Sequence, residues 1–326
     1  MIKKGILPQL AEVGKIKIGR RGKEVTSKNN KKFRLPEKVD HFIITTTERD
    51  AENNLIQDKA FTETLSNKTP RELPIRLPFD SIDKNFFTQY QFYTSSRKAC
   101  SGDGEKAVRI MSKDGKVKLP FDDGIKEVTV KAGDHVDIKC DPETCPFFNP
   151  ESGPSCKVSG ILSAFLPGSK DLGGVYKFRT HSYNSVSSIL GALEYFKANT
   201  GGILQGLPLK LVMVKKTTEE HGNIDYVTIV IDGEEIAGLR RKAIEEKQSR
   251  LLLGTDIDAI ERQAEISGFF KDSDPEDAVF DEFYQDGKED PAGVSAEEVE
   301  EEISSTEPEI EPDPKSEDES GKRDLF

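Results

Sequence analysis

All four cysteines of this 326-residue chain fall in one segment, from Cys100 to Cys156. The last three follow a C-x4-C-x10-C spacing, and the residues between them are rich in Pro, Asn, Asp and Gly. That composition disfavours helix and strand and is typical of a loop. Four cysteine thiolates complete a tetrahedral zinc site and leave no open position for water. The pattern therefore predicts a structural zinc site that fastens loops together, formed by Cys100, Cys140, Cys145 and Cys156.

Two other interpretations of the cysteines remain open. Two disulfide bonds would need an oxidising compartment, but the N-terminus lacks the long apolar run of a signal peptide. We therefore expect a reducing compartment, the cytoplasm of a cell. Four unconnected buried thiols are the other alternative, because a free cysteine often packs as a small apolar side chain. The clustering of every cysteine in one segment favours zinc.

Charge is distributed unevenly along the chain. Residues 271–326 contain 22 Asp or Glu and 5 Lys or Arg, a net charge of −17, whereas the whole chain carries −12. The acidic end has too few apolar residues to form a core, so we expect residues 269–326 to be a disordered tail. The remaining body is mildly basic. No run of about 18 apolar residues occurs, and we expect no membrane-spanning helix.

The first 40 residues are basic and poor in apolar side chains, which predicts an N-terminal arm over residues 1–40. Such an arm could lie along the phosphates of DNA. A solvated leader without nucleic-acid contacts is the alternative. The residues predicted to contact nucleic acid are Lys15, Lys17, Arg20, Arg21, Lys23, Lys31, Lys32 and Arg34.

Residues 41–233 alternate short β-branched and aromatic runs with turns, which predicts a β-rich core. Predicted strands cover 41–47, 86–93, 126–131, 135–140, 160–167, 173–180, 207–214 and 226–231, and the proline-containing stretch 69–79 is a predicted edge strand. One helix is expected to begin at a cap on Asn184 or Ser185 and to end at Gly201. Residues 234–268 change to helical periodicity, which predicts a helical extension. We therefore predict an α+β fold with one packed helix and a mostly antiparallel body, whose loops are held together by the predicted zinc site.

Motifs of known enzymes are absent from the sequence. It contains no Gly-x-Ser-x-Gly elbow and no His-Glu-x-x-His pair. Asp103, which lies between two glycines, and His135 could hold a catalytic metal, so a metal-dependent hydrolase is one alternative function. A tight turn at Asp103 and a solvent-facing strand position for His135 are the structural interpretations. These residues by themselves neither support nor exclude an enzyme.

Two further features could serve binding. The aromatic residues of 86–93 could stack bases, which gives a phage single-stranded DNA-binding or replication accessory protein as another alternative function, although packing in a core is the commoner use. These residues are Phe86, Phe87, Tyr90, Phe92 and Tyr93. The acidic tail ends in Leu325 and Phe326, an apolar tip with a free carboxylate that could dock in a partner's pocket. An ordinary solvated tail is the alternative.

A collinear series of short motifs resembles a phage and prophage family whose best-known member is a recombination directionality factor acting with a large serine integrase. The resemblance covers about residues 30–214. Its motifs are FRLP at 33–36, HFIITTT at 41–47, PRELPIRLPF at 70–79, CSGDG at 100–104 with Ala107 and Arg109, CP at 145–146, CK at 156–157 with Gly160 and Leu162, GGVY at 173–176, and Leu204 with Gly206, Pro208 and Leu209.

The resemblance implies an accessory protein of site-specific recombination. A directionality factor binds the integrase on attachment-site DNA in the bacterial host cell and favours excision of the prophage. It implies no catalytic residues, and other family members have been labelled as hydrolases or metal-binding proteins. Residues 234–326 lie outside the resemblance.

Overall fold

The computed structural model describes residues 10–26, 32–51, 55–94, 97–145, 147–148, 155–169, 173–218, 222–233 and 235–254. In this part the elements are, in chain order, β1 (Glu12–Thr26), β2 (Lys32–Arg49), β3 (Leu55–Gln57), α1 (Lys59–Thr64), β4 (Glu72–Ile75), α2 (Ile82–Asn85), β5 (Phe86–Thr94), β6 (Arg97–Gly102), β7 (Lys106–Ile110), β8 (Gly115–Phe121), β9 (Gly124–Val130), β10 (His135–Lys139), β11 (Lys157–Ala164), β12 (Val175–Thr180), α3 (Tyr183–Asn199), β13 (Leu209–Thr218), β14 (Gly222–Ile231) and α4 (Ile236–Leu253).

Three sheets contain these strands. The largest has nine strands in the order β10-β7-β6-β5-β11-β12-β1-β2-β3. Its described pairs are antiparallel except for β1, which runs parallel to β12. A three-stranded sheet has the order β14-β13-β4, and β8 and β9 form a hairpin. The predicted α+β, β-rich fold is confirmed, and the proline-containing strand β4 lies at a sheet edge as predicted.

One large hydrophobic core lies between the nine-stranded sheet, the three-stranded sheet and α3. Ile189 and Leu193 of α3 are fully buried in it, together with Phe178 of β12 and Leu211 of β13. The helix is capped two or three residues earlier than predicted, by Ser182, whose hydroxyl accepts a hydrogen bond from the backbone N–H of Ser185. Its spacing of apolar residues buries one face against both sheets.

A second, much smaller core lies at the β10 end of the large sheet. It is built from five buried residues, and Cys100 and Cys140 pack against it. The five are Ala107, Met111, Leu119, Val130 and Ile138. The β8–β9 hairpin contributes Leu119 and Val130, so it is held to the sheet by very few apolar side chains. A core of this size contributes little stability without additional links.

The prediction of a separate basic arm over residues 1–40 is wrong for the described part of that segment. β1 is an inner strand of the large sheet, and β2 runs through the predicted boundary at residue 40. Ile16 and Ile18 alternate with lysines along β1, and both isoleucines are buried in the main core. A strand with an apolar face on the core forms part of the body, whatever its net charge.

Two predicted regions reach beyond the described residues. The helical extension is seen as α4, which ends at Gly254 in the left-handed conformation, with φ of 66°. The remainder of the extension from residue 255, and the whole predicted tail, lie outside the described part of the chain. Within that part, no helix has the length and apolar character that crossing a bilayer requires.

Candidate functional site

The four cysteines come from four separate places in the fold and meet at the edge of the small core. Cys100 lies in β6, Cys140 directly follows β10, Cys145 closes the next turn, and Cys156 directly precedes β11. All four are half-buried free thiols. The other three cysteines are close enough to Cys156 to raise the pKa of its thiol, so the fold brings these distant positions together.

A cross-strand row places an arginine beside the first cysteine. Cys100 stands opposite Phe92 of β5 and, on its other side, opposite Arg109 of β7. Directly opposed residues share a face of the sheet. The Arg109 guanidinium lies 4.1 Å from the ring centre of Phe147 and 5.3 Å from that of Phe92. Two aromatic faces therefore hold this cation beside Cys100.

The neighbouring row holds Cys140 close to the backbone. Gly102 stands opposite Tyr90 and Ala107, and a Cβ added to it would lie 2.8 Å from the sulfur of Cys140. Glycine is required there, because the thiol occupies the space that a side chain would fill. The backbone N–H of Gly104 donates a hydrogen bond to this thiol.

The loop between β10 and β11 folds over these two rows. The backbone N–H of Cys145 donates to the Asp141 carbonyl at 2.8 Å, and the N–H of Cys156 donates to the Phe147 carbonyl. Phe147 packs on Phe92 with ring centres 5.0 Å apart. The next residue, Phe148, meets Tyr90 edge to face at 5.6 Å. The paired aromatic residues therefore fix a loop whose composition would not fold by itself.

Burial and mutual repulsion raise the pKa values of the thiols. Burial raises the pKa of Cys100 to about 11, the positive charge of Arg109 opposes this, and Cys140 and Cys145 add to it. Burial raises the pKa of Cys156 to about 12, and the other three cysteines raise it further. The pKa of Cys140 is also raised, mainly by burial. In the absence of a cation the Cys100, Cys140 and Cys156 thiols are therefore protonated at neutral pH.

No group of three or more His, Cys, Asp or Glu side chains among the described residues is arranged as a metal-ligand shell. The thiols are close enough to influence each other, but their sulfurs do not converge on one point. The zinc site predicted from the sequence therefore stays a prediction. The structure does show that the four cysteines lie near one another and that hydrogen-bond donors surround them.

The comparison with known protein families is decisive for classification. Residues 13–232, more than half of the chain, match the Gp3-like family, described as recombination directionality factor-like. The chain belongs to this Gp3-like family. The resemblance noted from the sequence motifs is thereby confirmed. No curated protein and no solved structure matches the chain.

Membership of the Gp3-like family classes the chain as an accessory protein of phage recombination and not as an enzyme. The matched residues run from β1 to the residue after β14. They include the large sheet, the small core, all four cysteines and the main core apart from Leu239 and Ala243 of α4. α4 lies beyond the family match.

The structure does not assemble the metal-dependent hydrolase considered from the sequence. The Asp103 carboxylate accepts hydrogen bonds from the backbone N–H groups of Glu105 and Lys106, at 2.8 and 2.7 Å, and so forms the turn between β6 and β7. His135 is exposed and stands opposite Ile110, at the other end of the β7–β10 ladder. The two side chains are therefore held apart by the length of a strand.

The described basic residues of the predicted arm are engaged within the protein. Lys17 is only 7% exposed, and Lys15 is half-buried. Arg20 is exposed, and its guanidinium makes two hydrogen bonds with Glu37, at 3.0 and 3.1 Å. These three residues do not form a free DNA-binding arm. Lys31 and the side chains of Arg21, Lys23, Lys32 and Arg34 lie outside the described residues.

The aromatic residues considered for base stacking are used mainly in packing. Phe86 and Phe92 are 1% and 5% exposed. The other three, Phe87, Tyr90 and Tyr93, are half-buried. A stacking platform needs exposed ring faces, which Phe86 and Phe92 do not offer. The predicted docking residues Leu325 and Phe326 lie outside the described residues.

Sequence reasoning missed Arg109, Phe147 and Phe148 as parts of the cysteine cluster. The two phenylalanines carried a signal, because they are an isolated apolar pair inside a polar loop. Arg109 belongs to one of the family motifs, but its position beside Cys100 follows only from the register of β6 and β7.

Proposed function

We propose that this protein is a recombination directionality factor that acts in the cytoplasm of a bacterial host. It binds a large serine integrase on attachment-site DNA and favours excision of a prophage. The observation that carries this proposal is the family match over residues 13–232, which spans all three sheets.

The proposed action is thermodynamic. A ligand shifts an equilibrium only by the difference between its affinities for the two states. The protein therefore binds the integrase arrangement that joins the excision substrates more tightly than the arrangement that joins the integration substrates. Couplings of this kind are typically about 1–3 kcal/mol, or about 5- to 150-fold in an equilibrium.

A purified recombination reaction tests this proposal. The full chain is added to a large serine integrase from the same phage or prophage, with a plasmid that carries the two attachment sites of an integrated prophage, and the excised circle is measured. We expect excision to rise by at least about fivefold. An integrase from an unrelated phage, with its own sites, provides the control and should not respond. Excision that stays unchanged at saturating protein would overturn the proposal.

Direct DNA binding is tested separately, because a protein that binds single strands by itself would give a different result. Titration of labelled oligonucleotides without integrase should give only weak binding. Tight binding that weakens steeply with salt would favour the single-stranded DNA-binding function instead.

The apolar tip of the chain is part of the proposal as a docking segment. Removal of Leu325 and Phe326 should lower the affinity for the integrase–DNA complex while the unfolding midpoint stays the same. A control chain in which both residues are replaced by Ile retains an apolar tip and tests whether the aromatic ring is needed. An unchanged affinity in the shortened chain would assign docking to the folded body.

A further inference from the structure

The surroundings of the four thiols are those of thiolates. A neutral thiol is only a weak hydrogen-bond acceptor. Yet Arg109 stands directly opposite Cys100, held there by the rings of Phe92 and Phe147, and hydrogen bonding from the Gly104 backbone favours the ionised form of Cys140. Donors aimed at the ligand atoms are typical of the outer shell of metal sites, where they orient the ligands and offset their charge.

Arg109 provides an independent observation. Its Nη1 atom is buried and lacks a hydrogen-bond partner among the described residues. An unpaired buried donor costs about 1–3 kcal/mol, and more when the group is charged. The same guanidinium already acts on two of the thiols, Cys100 and Cys156. A nearby centre of negative charge would satisfy the remaining donor.

We propose that the four cysteines bind one thiolate-preferring divalent ion of the zinc class, with Arg109 and the Gly104 N–H as outer-shell donors. Binding releases four protons to solvent, and the product, one divalent ion with four thiolates, carries a net charge of −2. Arg109 offsets half of this charge. Binding requires the four sulfurs to converge on the ion by rotation about their Cα–Cβ bonds.

The ion completes the small core. Cys100 and Cys140 already pack against its five buried residues. Cys145 and Cys156 belong to the loop that returns the chain to β11. Four sulfurs around one ion tie β6, the end of β10 and both ends of this loop together and leave no position for a reacting water. The site is therefore structural, and it stabilises the end of the sheet that has the fewest apolar contacts.

The unmodified full chain gives the first test. Protein purified under reducing conditions without chelators is measured by elemental analysis, and its thiols are titrated before and after a chelator is added. We expect about one zinc per chain and thiols that react only after chelation. Cobalt added to the metal-free protein should give the absorption of a tetrahedral thiolate complex. A metal-free protein whose thiols react equally fast with and without chelator would overturn the proposal.

Variants then test the assigned ligands and donors. Cys100→Ser and Cys156→Ser should each weaken zinc affinity strongly, whereas His135→Gln should leave it unchanged. Arg109→Met should weaken it by about 10- to 100-fold. The matched control is Arg241→Met, at an exposed position of α4, which should bind zinc as the wild type does. Equal affinities in all variants would overturn the assignment. None of these measurements requires an integrase, so their results are independent of whether the proposed function is correct.

Discussion

Arg250 of α4 donates to the carboxylate of Asp80, which lies 170 positions earlier in the chain. The two side chains are only 12% and 10% exposed. Asp80 also accepts hydrogen bonds from the backbone N–H groups of Leu204 and Gln205, both at 2.8 Å. One carboxylate therefore fastens α4, which lies outside the family match, to two segments of the family body.

Breaking this pair should destabilise the fold. Arg250→Met leaves the Asp80 carboxylate buried without its cation, and loss of one partner from a buried pair typically costs about 3–5 kcal/mol. Unfolding in urea measures the change. The control is Glu246→Gln, because Glu246 also pairs with Arg250 but is 41% exposed, and it should cost at most about 1 kcal/mol. Equal losses in both variants would show that Asp80 is not the anchor.

Ionisation of Asp80 should make the free energy of unfolding depend on pH. Burial alone would raise the pKa of Asp80, but the hydrogen bonds from Arg250, Gln205 and Leu204 and the charge of Arg250 lower it below its ordinary value of 3.8. The folded state therefore holds the ionised form, and its contribution is complete above the ordinary value and lost as the pH falls through the lowered one. The difference in unfolding free energy between wild type and Asp80→Asn should shrink in acid. A difference that stays constant would contradict this.

Gly102→Ala should destabilise the cysteine cluster. The added methyl group would lie 2.8 Å from the Cys140 sulfur and 2.6 Å from the Cβ of Ala107. Overpacking of this kind costs about 1–3 kcal/mol. The matched substitution is Gly191→Ala on α3, where no heavy atom lies within 4 Å. In a helix it should stabilise by about 1 kcal/mol. Thermal unfolding compares the two, and changes of the same sign would refute the packing argument.

Tyr176→Phe tests the link between β12 and α1. The Tyr176 hydroxyl donates to the Asp58 carboxylate at 2.8 Å, and the other oxygen of Asp58 caps α1 by accepting from the Phe61 N–H. Removal of the hydroxyl leaves a buried acceptor unpaired, at a cost of about 1–3 kcal/mol in the free energy of unfolding. Tyr195→Phe, at a site 55% exposed, should change it by less than about 0.5 kcal/mol.

Alternation of apolar and polar residues located most of the strands correctly. The predicted strand 86–93 is β5, and the predicted strand 173–180 contains β12. The same rule applied to Lys15, Ile16, Lys17 and Ile18 would have predicted β1. The high net charge of this segment obscures the alternation and predicts an arm instead of a strand. Parallel pairing of β1 with β12 brings residues more than 150 positions apart together, and local periodicity carries no information about such a partner.

The cysteine cluster was partly accessible from the sequence. Its clustering along the chain predicted that the four residues act as a unit. The donors to the sulfurs were not predictable, because Gly102 and Arg109 lie near Cys140 and Cys100 only through strand register. A shift of one residue in that register would turn Arg109 to the opposite face of the sheet.

The most direct test of the account is the difference between two affinities. The full chain is titrated against integrase bound to the attachment sites of the integrated prophage, and separately against integrase bound to the sites that recombine during integration. We expect tighter binding to integrase on the sites of the integrated prophage, by about 5- to 150-fold. Equal affinities for the two complexes would contradict it, because a ligand that does not distinguish two states cannot shift the balance between them.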